Sequence, residues 1–264
     1  METAKGNFCM HVRPVQLGGL RRAALSPLAD TENLPCDRCA GRSLGICAAF
    51  GNEALASLVE TGGQRLWERR QLLYRGDDPA EAFYKIKKGI VIEYKVLTDG
   101  RRQIVTIRSV GDLCGYPARE GRYDLTAQAI TPVEACAFGT AKFEARLERD
   151  IEFSCAVADD LAEQLKQACV GLTAIGQLTA VERVVHFIFQ MEELQQAHRG
   201  EIGNINLHLA RYEIADYLGL TVETVSRMVG KLKEEGLLTL VGRNGVSILD
   251  RERLLQVAKL GRRN

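Results

Sequence analysis

The sequence predicts an α+β protein: an N-terminal antiparallel β-roll, then a long helix, then a C-terminal winged helix-turn-helix. Three observations point there: regularly spaced glycines among β-branched stretches, a narrow apolar seam at helical intervals, and two short helical patterns joined at a glycine. The chain of 264 residues is long enough for two domains, and 46% hydrophobic, 26% charged and 6% aromatic residues describe a globular protein. Lys and Arg number 35 against 34 Asp and Glu, so a net charge of +1 gives no whole-chain signature of nucleic-acid binding. Any such surface is a local patch. No apolar run approaches the roughly 20 residues of a membrane helix, and the N-terminus lacks a secretory pattern. A cytoplasmic chain with no membrane partner is expected.

Residues 1–50 are read as a flexible arm and a Cys-rich loop. Pro14, Gly18, Gly19, Pro27 and Pro35 interrupt the arm, which has no sustained apolar period. Eight Cys are too few for a disulfide-built fold, but Cys36, Cys39 and Cys47 fall within twelve residues and suggest a ligand loop. Spacing alone leaves Zn2+ and iron–sulfur equally open. Cys9 is a spare thiol in the arm, and Cys114, Cys155 and Cys169 are expected to be small buried hydrophobes.

Residues 51–150 form the predicted roll. Gly76, Gly89, Gly100 and Gly111 are separated by 13, 11 and 11 residues and punctuate stretches rich in Ile, Val, Tyr and Phe. Residues 90–96 and 103–107 flank Asp99-Gly100 and read as one hairpin. Residues 151–180 hold the long helix, in which Leu161, Leu165, Ala168, Leu172 and Ile175 recur at intervals of 4, 3, 4 and 3. Such a stripe either packs on the chain's own roll or pairs with a second helix; the narrow seam favours pairing, hence a homodimer. Gly171 and Gly176 weaken an isolated helix by about 1 kcal/mol each relative to Ala, so a partner surface is needed to stabilise it.

Residues 181–264 read as a winged helix-turn-helix. Ile214, Ala215 and Leu218 make one apolar face, Gly219 ends that helix, and Thr221 is placed to cap the next. There Val225, Val229 and Leu232 face inward, leaving Val222, Glu223, Ser226, Arg227 and Lys231 outward. Arg bonds guanine O6 and N7, Glu accepts from cytosine N4, and Ser serves base or phosphate. Residues 237–241 and 246–249 read as wing strands around Arg243-Asn244-Gly245, an Asn-Gly turn. From Leu209 to Asn264, ten Lys or Arg stand against seven Asp or Glu, a local net of +3.

The segment Tyr217-Leu218-Gly219-Leu220-Thr221-Val222-Glu223-Thr224-Val225-Ser226-Arg227 resembles the recognition motif of the CRP/FNR superfamily of bacterial transcription regulators, most closely its oxygen-responsive FNR branch. The resemblance spans roughly Cys36 to Ala258. It implies that Glu223, Ser226 and Arg227 read a TTGAT-like half-site of a palindromic double-stranded operator. It also implies a cyclic-nucleotide-binding-like roll, and that Leu161, Leu165, Ala168, Leu172 and Ile175 lie on a dimerisation helix. Asp99, Gly100 and Arg101 resemble the loop that touches RNA polymerase; a solvated turn is the plainer reading of the same three residues. In the FNR branch the fourth cluster-ligating thiol lies at the position of Cys136, so Cys36, Cys39, Cys47 and Cys136 are implied to hold a [4Fe-4S] cluster, with Zn2+ as the alternative. The loop departs from the best-known spacing, having Cys-x2-Cys-x7-Cys in place of five residues in the last interval. Where cyclic-AMP receptors carry an Arg-Ser pair, this chain has Tyr123-Asp124. A carboxylate facing a phosphate is repulsive, so no cyclic nucleotide is expected.

These readings make a dimeric DNA-binding regulator of anaerobic gene expression gated by an oxygen-labile cluster. Zinc or thiol-disulfide switching at the same Cys residues keeps the DNA function and changes the trigger. A redox or electron-transfer module with an incidental helical hairpin is the alternative from another class. His11, His186, His198 and His208 show no metal spacing, and no catalytic triad or phosphate-cradling loop is present, so an enzyme is not indicated.

Overall fold

A computed structural model describes residue 36 and residues 39–49, 62–115, 121–199 and 204–258; the expected arm, with Cys9, lies outside the described residues. The roll is built from β1 (Gly62–Trp67), β2 (Leu72–Tyr74), β3 (Ala82–Lys88), β4 (Val91–Val96), β5 (Arg102–Arg108), β6 (Leu113–Cys114), β7 (Thr126–Ala129) and β8 (Val133–Gly139). Two antiparallel sheets result, ordered β1-β8-β3-β6 and β2-β7-β4-β5. β4 and β5 are the hairpin, with Val96 opposite Arg102. Its turn closes where the Leu97 N–H donates to the Arg101 carbonyl and the Gly100 N–H to the Leu97 carbonyl.

Apolar side chains that alternate along the strands fill the roll, among them Phe83, Ile86, Val91, Leu113, Val133 and Ala135. One ion pair is buried with them. Glu93, 5% exposed, accepts from Arg108 Nε at 2.7 Å and from the Tyr74 hydroxyl. In this low-dielectric setting each charge relies on the other.

Helix α1 (Thr140–Leu147) leads into α2 (Ile151–Gln177), which begins where the Asp150 carboxylate accepts from the Phe153 N–H at 3.0 Å. Phe153, Ala156 and Val157 are the buried residues of α2, packed with Phe83, Phe138 and Phe143. After these first two turns the helix leaves its own core: Leu165 is 66% exposed, Leu172 73%, and Leu161 and Ile175 38% each. The same departure corrects one expectation. Cys155 and Cys169 lie on exposed faces of α2, and Cys114 alone of the three is buried.

The C-terminal part comprises α3 (Ala180–Arg199), β9 (Asn204–Asn206), α4 (Arg211–Leu218), α5 (Val222–Glu234), β10 (Leu238–Val241), β11 (Gly245–Ile248) and α6 (Arg251–Val257). Its strands form the sheet β10-β11-β9. The wing turn sits earlier than the sequence suggested. Val241 pairs with Gly245, so the loop is Gly242-Arg243-Asn244, with the left-handed residue at Gly242 (φ 58°) instead of in the Asn-Gly dipeptide. The Asn244 carbonyl accepts from the Leu207 N–H at 2.8 Å and fixes the tip to the chain after β9.

The roll holds α4 through β5. Arg102 Nε bonds Asp216 Oδ2 at 2.8 Å while its guanidinium lies 5.0 Å from the Tyr94 ring centroid and 5.7 Å from that of Tyr212. Gln103 Nε2 donates to the Tyr217 carbonyl at 3.2 Å. Replacing Glu93 by Ala should strand the buried Arg108 and cost about 3–5 kcal/mol, seen as a lower urea midpoint. A loss under ~1 kcal/mol would contradict the pair's structural role.

Candidate functional site

The reading helix is set by local chemistry. Gly219 takes the left-handed conformation (φ 63°, ψ 41°) that ends α4, and the Thr221 hydroxyl caps α5 by accepting from the Thr224 N–H at 3.2 Å. Val225, Val229 and Leu232 are buried against the rest of the C-terminal core. That burial turns Val222, Glu223, Ser226, Arg227 and Lys231 outward, all exposed and gathered on one side of α5. Glu223 sits in the first turn, where its own backbone N–H and the Thr221 hydroxyl hold its carboxyl below the usual range. Arg183 braces the turn before α5, donating from Nη1 to the Leu218 carbonyl at 3.0 Å and from Nε to the Leu178 carbonyl at 2.9 Å.

The second site is a group of thiols. Residues Gly45–Ala49 form a 3-10 turn in the Cys loop. Within it Ile46 is fully buried beside Phe83, Leu113 and Phe153, anchoring the loop between the roll and the start of α2. Arg42 Nη1 donates to the Cys47 carbonyl at 2.7 Å. Cys136, on β8, is half-buried against the same apolar cluster as Cys47. The four expected thiols share one electrostatic neighbourhood. Burial raises the Cys47 thiol, which Lys85 lowers and Cys36 and Cys39 raise. Burial also pushes Cys136 up to about 11, with Lys87 opposing and Cys47, Cys39 and Cys36 adding to the rise. Among the described residues, no three His, Cys, Asp or Glu side chains gather closely enough to hold a single metal ion.

A cavity of about 190 Å3 opens inside the roll, lined by Tyr74, Glu93, Arg108, Tyr123, Asp124 and Gln164 among others. The Tyr74 and Tyr123 rings stack across it, 4.0 Å between centroids, and Tyr123 donates its hydroxyl proton to the Ala82 carbonyl. At the β4–β5 tip, Asp99 and Arg101 are exposed and bonded to each other at 2.7 Å, with Gly100 between them at φ 84°.

Sequence reasoning missed two features near these sites. Helix α3 buries Val184, Val185, Phe187, Ile188, Phe189 and Met191, so it is apolar on several sides and shows no clean helical period. Lys85 is 2% exposed in β3, and its signal was legible: alternation puts position 85 on the same inward face as Phe83.

The match to known proteins covers both halves. Residues 64–150 match the cyclic nucleotide-binding domain model and residues 182–257 the Crp-like helix-turn-helix domain model. The chain is 31% identical over 223 residues to the nitrogen fixation regulation protein FixK of Bradyrhizobium diazoefficiens, covering 84% of this chain and 93% of that one. It is 30% identical over 228 residues to the transcriptional activator protein FnrL of Cereibacter sphaeroides, covering 84% and 91%. The solved structure of FixK2 from Bradyrhizobium japonicum superposes with a TM-score of 0.68 at 30% identity, over 74% of this chain and 96% of that one. With a roll, a long helix and a reading helix in this order, the chain belongs to the CRP/FNR family of DNA-binding transcription regulators.

Proposed function

We propose that this regulator senses oxygen through a [4Fe-4S] cluster and binds a palindromic TTGAT-like operator as a homodimer when the cluster is intact, controlling anaerobic and microaerobic gene expression. The observation that carries the reading is that Cys47, in the Cys loop, and Cys136, on β8, pack against one apolar cluster beside the start of α2, with Cys36 and Cys39 in electrostatic reach of both. Cys36, Cys39, Cys47 and Cys136 would hold the cluster, which when bound supplies an oxygen-labile iron centre.

The chain's own residues link this site to DNA. With the loop tied to β8, Ile46 stays seated beside Phe153 and the first turns of α2 are held. Leu161, Leu165, Ala168, Leu172 and Ile175 then present one seam to the partner's identical helix. Pairing places two α5 helices on two half-sites, and reading both together multiplies affinity. Losing the loop's tie to β8 loosens the seam and separates the half-sites. Asp99, Gly100 and Arg101, on an exposed tip, would make the polymerase contact. The roll's cavity offers a cyclic phosphate little: its Arg108 is already paired with Glu93, and Asp124 adds a carboxylate.

Metal analysis of protein purified without oxygen tests the trigger. We expect about four iron and four sulfide per chain with a visible colour that bleaches in air. One zinc per chain, or no metal, would refute the cluster. For the reading helix, Arg227→Ala should weaken operator binding by about 1–3 kcal/mol and relax discrimination at one base pair. Uniform weakening on all sequences would instead reduce Arg227 to a phosphate contact.

A further inference from the structure

We infer that Lys85, outside the thiol set, is the positioning residue that couples the Cys loop to α2, so that the loop's state reaches the pairing seam. The inference rests on the sensor reading above. A buried ammonium is heavily penalised unless it is bonded, and Lys85 Nζ finds two backbone carbonyls: that of Leu44 at 2.8 Å and that of Gly111 at 2.5 Å. Leu44 belongs to the Cys loop, three residues before Cys47; Gly111 belongs to the turn before β6. Across the sheet, Lys85 pairs directly with Cys136. The lysine therefore stands between the loop and the strand that carries the fourth thiol.

The same point touches the pairing helix. A Cβ added at Gly45 would lie 2.7 Å from Asp160 Oδ1, 3.0 Å from Lys85 Nζ and 2.6 Å from the Gly111 carbonyl oxygen. The loop backbone is thus wedged between Lys85 and Asp160, and only glycine, here at φ 50°, fits. Asp160 lies on α2, its Oδ2 accepts from Gln164 Nε2 at 2.7 Å, and Gln164 reaches the Leu113 carbonyl at 3.5 Å. The next residue, Leu161, begins the seam. When the loop leaves, Lys85 loses one of its two carbonyls and Asp160 loses the backbone packed against it. Docked and undocked loops are therefore two discrete arrangements, and the second disturbs the turn of α2 that carries Leu161. Coupling between distant sites requires such a two-state element.

The test uses the full chain prepared without oxygen and measures the dimer Kd by sedimentation, with the cluster present and after its removal. A merely structural role changes both values alike and leaves their ratio intact. We expect the unsubstituted chain to show a ratio of about tenfold or more, and Lys85→Met to keep its iron, sulfide and spectrum while the ratio falls to within about threefold of one. Asp160→Asn, away from the thiols, should lower the ratio as well and serves if Lys85→Met does not fold. A ratio unchanged in both variants would overturn the role of Lys85, as would loss of iron from Lys85→Met with the full ratio kept in Asp160→Asn. An unsubstituted chain with no cluster, or with equal Kd in both states, would overturn the sensor reading itself and the coupling with it.

Discussion

The rest of the molecule depends on how little of α2 its own chain covers. Two turns, carrying Phe153, Ala156 and Val157, seal the end of the roll; the apolar stripe beyond them faces water. Burying a Leu side chain is worth about 1.5–3 kcal/mol, so covering the exposed Leu161, Leu165 and Leu172 with the proposed second helix would be stabilising. Gly171 and Gly176 meet nothing within 4 Å of an added Cβ, so within one protomer nothing explains their small size.

Everything else in the fold bears on that seam from one end or the other. At its N-terminal end the Cys loop seats Ile46 in the aromatic cluster that also receives Phe153. At its C-terminal end Arg183 joins the exit of α2 to the turn that precedes the reading helix. The roll and the DNA-reading part also meet directly, where Arg102 is gripped by Asp216 between two tyrosine rings. Under the proposed pairing, a change in the seam would act on a reading head already held to its own roll and would alter the placement of two heads relative to each other.

The elements legible in the sequence were those with a strict local rule. The 4-3 stripe of α2, the Gly219 and Thr221 punctuation of the helix-turn-helix, and the β4–β5 hairpin all follow from backbone geometry within a few residues. Less legible were features fixed by tertiary packing. Helix α3 is apolar on too many sides to show a period, and the wing turn was decided by the register of Val241 against Gly245 instead of by the Asn-Gly dipeptide. Cys155 and Cys169 were misjudged because free cysteines are usually buried, whereas α2 leaves the core after two turns. The nearness of Cys136 to the loop thiols came from family resemblance alone, since no local pattern joins residues 89 to 100 positions apart. Lys85 was open to reading, as a charge in an inward register, and its two carbonyl partners required the folded chain.

In the proposed function, DNA reading is a property of the dimer and the dimer a property of an intact thiol site. Operator binding measured by fluorescence anisotropy on a TTGAT-type palindrome, at one fixed salt concentration, tests that chain of dependence most directly. Protein kept from oxygen should bind with two chains per duplex, and admitting air should weaken binding by about tenfold or more, in step with loss of the dimer. Equal affinity and two chains per duplex before and after air would contradict the account.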